Sequence, residues 1–148
     1  MKDTLVKGSL HKRFPVEKEL ERDHTVPEKI HFVWVGQKLS LKYSRHILEF
    51  KKVNPCYEVY VWTNMTLTTT LRAFFANNLI NVRQLELDKL LTKDLVASER
   101  NIGAISDIIR YEVVYHEGGI YLDTDSVPVL PFSHIFRCGI FVTKIREK

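Results

Sequence analysis

Cysteine is scarce in this sequence. Cys56 and Cys138 are the only two among 148 residues. Two is too few for a disulfide framework and neither has the spacing of a zinc site, so both read as free thiols. Long hydrophobic runs are missing too. The stretch Ile30 to Val35 is interrupted by His31, and no transmembrane helix is expected. The start, Met1 to Phe14, carries Lys2, Lys7, Lys12 and Arg13 without an apolar segment, and does not read as a secretory signal. There is no G-x-G-x-x-G fingerprint, P-loop, G-x-S-x-G, H-E-x-x-H or C-x-x-C, and no repeat or low-complexity tract. Nor does one sign of charge dominate: 22 Lys and Arg against 18 Asp and Glu leave a net charge of +4. That mild excess suits solubility, or attraction for an anionic ligand such as a nucleotide. The basic residues are scattered rather than interleaved with aromatics, which disfavours nucleic acid.

What is present is an ordinary globular composition, 45% hydrophobic and 27% charged. It excludes a disordered chain, a collagen and a coiled coil, and the length suits one domain with a core of its own. Residues 1–26 are polar and read as an N-terminal arm, leaving 27–148 as the folded domain. Ile30 to Val35 is β-branched and aromatic and stops at Gly36, as a buried strand does. Ser40 is placed to cap a helix from Leu41 to about Val53, closed by Lys51 and Lys52 and ended by Asn54-Pro55. Tyr57 to Trp62 is a second strand. Leu67 to about Asn77 is helical, with Leu71, Phe74 and Phe75 on one face. Asn81 to Leu87 is a third strand and Asp88 to Leu95 a short helix. Ile102 to Glu117 is a helix that stops at Gly118-Gly119, followed by a strand at Ile120 to Leu122. A last strand is expected at Ile140 to Val142. Strands alternating with helices imply an α/β layer around a mainly parallel sheet.

The chemistry concentrates in Ser106 to Asp125, SDIIRYEVVYHEGGIYLDTD. Asp123 and Asp125 follow a short apolar strand, and spacing i, i+2 points them to one side together with Tyr121. Two carboxylates on one face repel unless a cation lies between them, and oxygen-only ligands suit Mg²⁺ or Mn²⁺. For a lone D-x-D, two solvated turn residues are the better explanation. The preceding helix adds weight. Gly103, Ser106, Asp107 and Arg110 form one stripe. Around it Ile102, Ile105, Ile108, Ile109, Val113, Val114 and Tyr115 make the helix apolar nearly all round, as if buried on most faces. An Asp107–Arg110 pair is either a plain internal ion pair or a carboxylate and guanidinium offered to sugar hydroxyls. On the first strand Trp34, between Val33 and Val35, is either a core tryptophan or an aromatic wall beside a nucleotide base. Gly36 would allow a close approach there.

Taken together, EKIHFVWVG at 28–36 and SDIIRYEVVYHEGGIYLDTD at 106–125 resemble glycosyltransferases with the DXD sugar-binding region. That group includes yeast-type α-mannosyltransferases, α-1,4-N-acetylglucosaminyltransferases and the glucosylating clostridial toxins. The resemblance implies a GT-A type, Rossmann-like α/β fold and a retaining transferase. The donor would be a UDP-sugar or GDP-mannose, the acceptor a carbohydrate, lipid or protein, and the cofactor Mn²⁺ or Mg²⁺. On this sequence it assigns Val33 to donor binding, Trp34 to the base, Asp107 and Arg110 to the donor sugar, and Tyr121 to the ribose or sugar. Asp123 and Asp125 become the catalytic pair, with Asp125 ligating the metal directly and Asp123 contacting sugar and a metal-bound water. Family members continue further beyond the DXD, whereas only residues 126–148 follow Asp125 here. The fold is therefore expected to be partial at its C-terminus. A nucleotide-sugar-binding module without efficient transfer is the alternative. Secretory-pathway members usually carry an N-terminal membrane anchor, and the polar residues 1–26 are not expected to form one.

Overall fold

The structure is a computed structural model that describes residues 26–132. Nearly all of the expected N-terminal arm, the strand at Ile140 to Val142 and Cys138 lie outside the described residues. Among those described, Cys56 is an exposed free thiol and no helix is long and apolar enough to cross a membrane.

The β-branched run at the start forms β1 (Lys29–Trp34), and Ser40 caps α1 (Leu41–Val53) by accepting the N–H of Tyr43. The next strand is β2 (Glu58–Thr63), followed by α2 (Thr69–Asn77) with Leu71 and Phe75 buried, and by β3 (Ile80–Gln84). Next are α3 (Lys93–Ser98), α4 (Ile102–Glu117) and the two-residue β4 (Ile120–Tyr121). All strand pairs are parallel and the sheet order is β3-β2-β1-β4. This is the α/β architecture expected, a parallel sheet with helices packed on it.

Alternation along β1 divides the core. Phe32 turns to one face and meets Phe50 of α1, ring centroids 5.6 Å apart. Val33 turns to the other and packs with Val35, Leu85, Val96 and with Ile109 and Val113 of α4.

Two expectations fail here. The short helix expected over Asp88 to Leu95 is split into a 3₁₀ turn at Leu87–Lys89 and α3. Glu112 is responsible. Its carboxylate accepts the N–H groups of Leu91 (2.7 Å) and Thr92 (3.1 Å), which a continuous helix would have bonded to residues four places earlier. Thr92 Oγ1 donates to it as well, at 2.7 Å. Burial would raise the Glu112 pKa, but these hydrogen bonds outweigh it and hold the carboxyl below its usual value.

The second failure concerns α4, which is not buried on most faces. It meets the sheet through Ile109 and Val113, whereas Tyr111 and Tyr115 are 71% and 79% exposed. The apolar residues encircle the helix, but among the described residues the sheet and the segment from the 3₁₀ turn to α3 cover only part of that surface.

The Gly118-Gly119 reversal sets β4 against β1. Both glycines have positive φ, and a Cβ on Gly119 would lie 2.5 Å from the carbonyl oxygen of Lys29. Any side chain there would push the strands apart. His31, fully buried on β1, fastens the same reversal. Its Nε2 donates to the Gly118 carbonyl at 3.0 Å, and its Nδ1 accepts from Trp62 Nε1 at 3.1 Å. Burial lowers its pKa, which keeps the ring neutral and able to play both roles.

Candidate functional site

The strand order defines where a ligand can bind. From β1 the chain steps outward to β2 and β3, then crosses back to place β4 on the other side of β1. In open parallel sheets the crevice at such a reversal, beyond the strand C-termini, is the binding site. A cleft of about 430 Å³ lies at that reversal. Val33 and Trp34 reach it from the end of β1, and Tyr121, Asp123 and Asp125 from the end of β4. Gly103, Ser106 and Asp107 enter from the first turns of α4. Six of the seven site residues named from the sequence therefore line one cavity.

Arg110 is the exception and is not among the lining residues. Its Nη1 is 3.3 Å from Asp107 Oδ1, and its guanidinium stands 5.5 Å from the centre of the Tyr121 ring. It thus stands beside Asp107 and over Tyr121, both of which line the cleft.

The two aspartates are brought to the cleft by a different device from the one expected. Strand alternation carries only as far as the pair Tyr121 and Asp123, where the phenol donates to Asp123 Oδ1 at 3.0 Å. β4 ends at Tyr121, and Asp123 to Ser126 form a turn closed by the Ser126 N–H on the Asp123 carbonyl at 3.0 Å. The short strand leaves Leu122 as the last residue tied to β1, through its N–H on the His31 carbonyl at 3.0 Å. Asp125 thus owes its direction to a turn. Both carboxylates are exposed, and Tyr121 is held protonated: burial first, then the charge of Asp123, pushes its pKa far up. The phenol is a fixed donor to Asp123 at any ordinary pH.

Trp34 is half-buried. Its Nε1 donates to the Gln37 carbonyl at 2.7 Å, and its ring packs on Tyr43 of α1 with centroids 5.0 Å apart. One edge of the tryptophan is thereby fixed by backbone and one face by a second aromatic. The close approach permitted by Gly36 is to protein. A Cβ there would meet the Ile102 side chain at 3.1 Å, so the glycine admits the first residue of α4 to the cleft wall.

Sequence reasoning missed Gln37, Tyr43, Ile102 and Thr124, which also line the cavity. Tyr43 and His46 share a face of α1 at spacing i, i+3, which was visible, but nothing local ties that face to the aspartates.

The described residues contain no group of three or more His, Cys, Asp or Glu side chains able to hold a metal ion. An all-protein cage is therefore not built among them. Asp123 and Asp125 do fit a hard divalent cation that keeps waters and takes phosphate oxygens from a ligand, the usual manner of Mg²⁺ sites.

A parallel-sheet α/β domain with an acidic and aromatic cleft at its strand reversal belongs to the Rossmann-like class of ligand-binding folds. More narrowly, the chain belongs to the family described as glycosyltransferase sugar-binding region containing DXD motif, whose model matches residues 42–138. The match includes Asp107, Tyr121, Asp123 and Asp125 and begins after Val33 and Trp34. A relative from Legionella pneumophila, "Subversion of eukaryotic traffic protein A", is 29% identical over 116 residues, covering 72% of this chain and 18% of the relative. The solved structure of the PaToxG glycosyltransferase superposes with a TM-score of 0.57 at 21% identity, over 89% of this chain and 55% of that one. The chain thus spans less than a fifth of the first and about half of the second.

Proposed function

We propose that this domain binds a nucleotide-diphosphate sugar and transfers the sugar to an acceptor hydroxyl, with Mn²⁺ or Mg²⁺ held by Asp125 and Asp123. The observation that carries it is the convergence of Trp34, Asp107, Tyr121, Asp123 and Asp125 on one cleft at the sheet reversal. Family membership supports the sugar donor, and the resemblance to retaining transferases supports retention of anomeric configuration.

The residues divide the work. Trp34, braced by Tyr43, offers a flat face to the base and Val33 closes the pocket beside it. Asp107, steadied by Arg110, accepts hydrogen bonds from donor-sugar hydroxyls. Tyr121 donates to one oxygen of Asp123, which leaves its other oxygen for the sugar or a metal-bound water. Asp125 faces the diphosphate side. A cation bound there would draw charge from the departing diphosphate. An acceptor hydroxyl in line with the anomeric carbon completes the reaction, and its alignment accounts for several kcal/mol of barrier, about 7 or more in well-oriented cases.

A thermal-shift panel of nucleoside diphosphates and their sugars with Mn²⁺ identifies the donor. Sugar release to water and to an acceptor panel then measures turnover. Stabilisation by one nucleotide and its sugar, with release of that sugar, is the expected result. Silence across the whole panel with metal present would overturn the proposal, and binding without release would reduce the domain to a nucleotide-sugar-binding module.

A further inference from the structure

We propose that His46 of α1 is a positioning residue that fixes the direction of Asp125 by holding the carbonyl of Thr124. The His46 Nδ1 lies 3.1 Å from the Thr124 oxygen, across 78 residues of chain. A carbonyl only accepts, so Nδ1 carries the proton and donates.

Thr124 is the second residue of the turn that Ser126 closes on Asp123, so its carbonyl has no partner within that turn. That carbonyl belongs to the rigid peptide plane joining Thr124 to Asp125. Fixing the plane fixes the backbone angles on either side of it, and with them the bond from which the Asp125 side chain leaves. Asp123 has its own restraint in the Tyr121 hydroxyl, whereas Asp125, exposed and without a hydrogen bond of that kind, depends on the backbone.

His46 is itself held. Its ring stands edge-on to Tyr43, centroids 6.1 Å apart and planes at 81°, and Tyr43 packs on Trp34. A helix capped at Ser40 and anchored by buried Ile47 and Phe50 thus supports both the aromatic side of the cleft and its acidic turn. Partners at one remove from a metal ligand commonly change metal affinity by about 10–100-fold when removed. A half-exposed ring acting through one carbonyl should fall near the lower figure.

This role rests on the function proposed above, and the test separates the two. His46→Ala removes the donor, while His46→Asn keeps an N–H donor near the place of Nδ1. Free Mn²⁺ is followed by electron paramagnetic resonance during titration of each protein with saturating nucleoside diphosphate. In parallel, hydrogen exchange of the segment 121–127 is measured on metal-free protein. We expect His46→Ala to weaken Mn²⁺ binding about tenfold and to speed exchange at the Ser126 amide. Melting temperature and nucleotide affinity in EDTA should stay near the parent values, and His46→Asn should restore both lost properties. Parent-like exchange in His46→Ala, or no recovery in His46→Asn, would overturn the assignment of His46. If the parent takes up no Mn²⁺, the metal function fails and exchange alone decides the role of His46.

Discussion

Tyr121 donates its hydroxyl to Asp123 Oδ1 at 3.0 Å, and this bond joins the last residue of the sheet to the first aspartate of the DXD turn. The phenol is mostly buried beneath Arg110, whereas the carboxylate it holds is exposed. A rigid element thereby orients a group that faces solvent and the cleft.

Tyr121→Phe tests that bond. The ring, its packing and the Arg110 contact remain, and only the donor is lost. Because Asp123 is exposed, the effect should stay near the modest end for a charged hydrogen bond, about 1.5 kcal/mol, or roughly tenfold in metal-dependent nucleotide affinity. The melting temperature should hardly move. Calorimetry on parent and variant with Mn²⁺ gives the comparison, and equal affinities would remove the phenol from the site.

Trp34 and Asp107 should separate the base from the sugar. Trp34→Ala is expected to weaken free nucleoside diphosphate and nucleotide-sugar alike, since stacking on a base contributes about 1–3 kcal/mol. Asp107→Ala should weaken mainly the sugar-bearing ligand. Both variants need a circular-dichroism check, because Trp34 also packs on Tyr43 and Asp107 pairs with Arg110. Equal losses for both ligands in Asp107→Ala would contradict its assignment to the sugar.

Acid should destabilise the fold in two steps. His31 has its pKa lowered by burial from an ordinary 6.5, so folded protein binds the proton less readily than unfolded chain. Its contribution is complete above 6.5 and is lost as pH falls from there through the folded value. Glu112 has its carboxyl held below an ordinary 4.5, so its contribution is complete above that value and disappears lower still. Urea midpoints measured between pH 8 and pH 3 should fall in both ranges, and Glu112→Gln should flatten the lower one. That variant should also cost about 1–3 kcal/mol at neutral pH, because a buried acceptor for three donors is weakened. A lower step unchanged in Glu112→Gln would place it elsewhere.

Gly119→Ala should damage the site through the backbone. Its Cβ would meet the Lys29 carbonyl at 2.5 Å, so β4 must move from β1 and take the DXD turn with it. We expect a destabilisation of at least about 1–3 kcal/mol together with loss of metal-dependent binding. A stable variant with parent-like binding would show that the strand contact does not position the turn.

Much of this was legible in the sequence because it was local. Ser40 marked the start of α1, and Gly118-Gly119 marked the end of α4 and the entry to β4. The alternation of short apolar runs with helices implied the parallel sheet, whereas its reversal at β1, where the cleft lies, became visible only in the structure. Three features could not be read because each is made by residues far apart in the chain. Glu112 interrupts the helix expected at Asp88 to Leu95 from about twenty positions away. The encircling apolar surface of α4 says nothing of how much sheet is there to cover it. Asp125 was assigned its direction by strand alternation, yet β4 is only two residues long, and a turn bound to His46 orients it instead.

The most direct measurement is calorimetry of the preferred nucleoside diphosphate with parent and Asp125→Asn, each in Mn²⁺ and in EDTA. Asp125 is exposed within a turn, so the substitution should leave stability nearly unchanged while removing one charge from a hard-cation site. The account predicts tight binding by the parent in Mn²⁺, much weaker binding in EDTA, and binding by Asp125→Asn that is weak in both. Equal affinity of parent and variant in Mn²⁺, or a parent indifferent to EDTA, would contradict a metal bridge at Asp123 and Asp125.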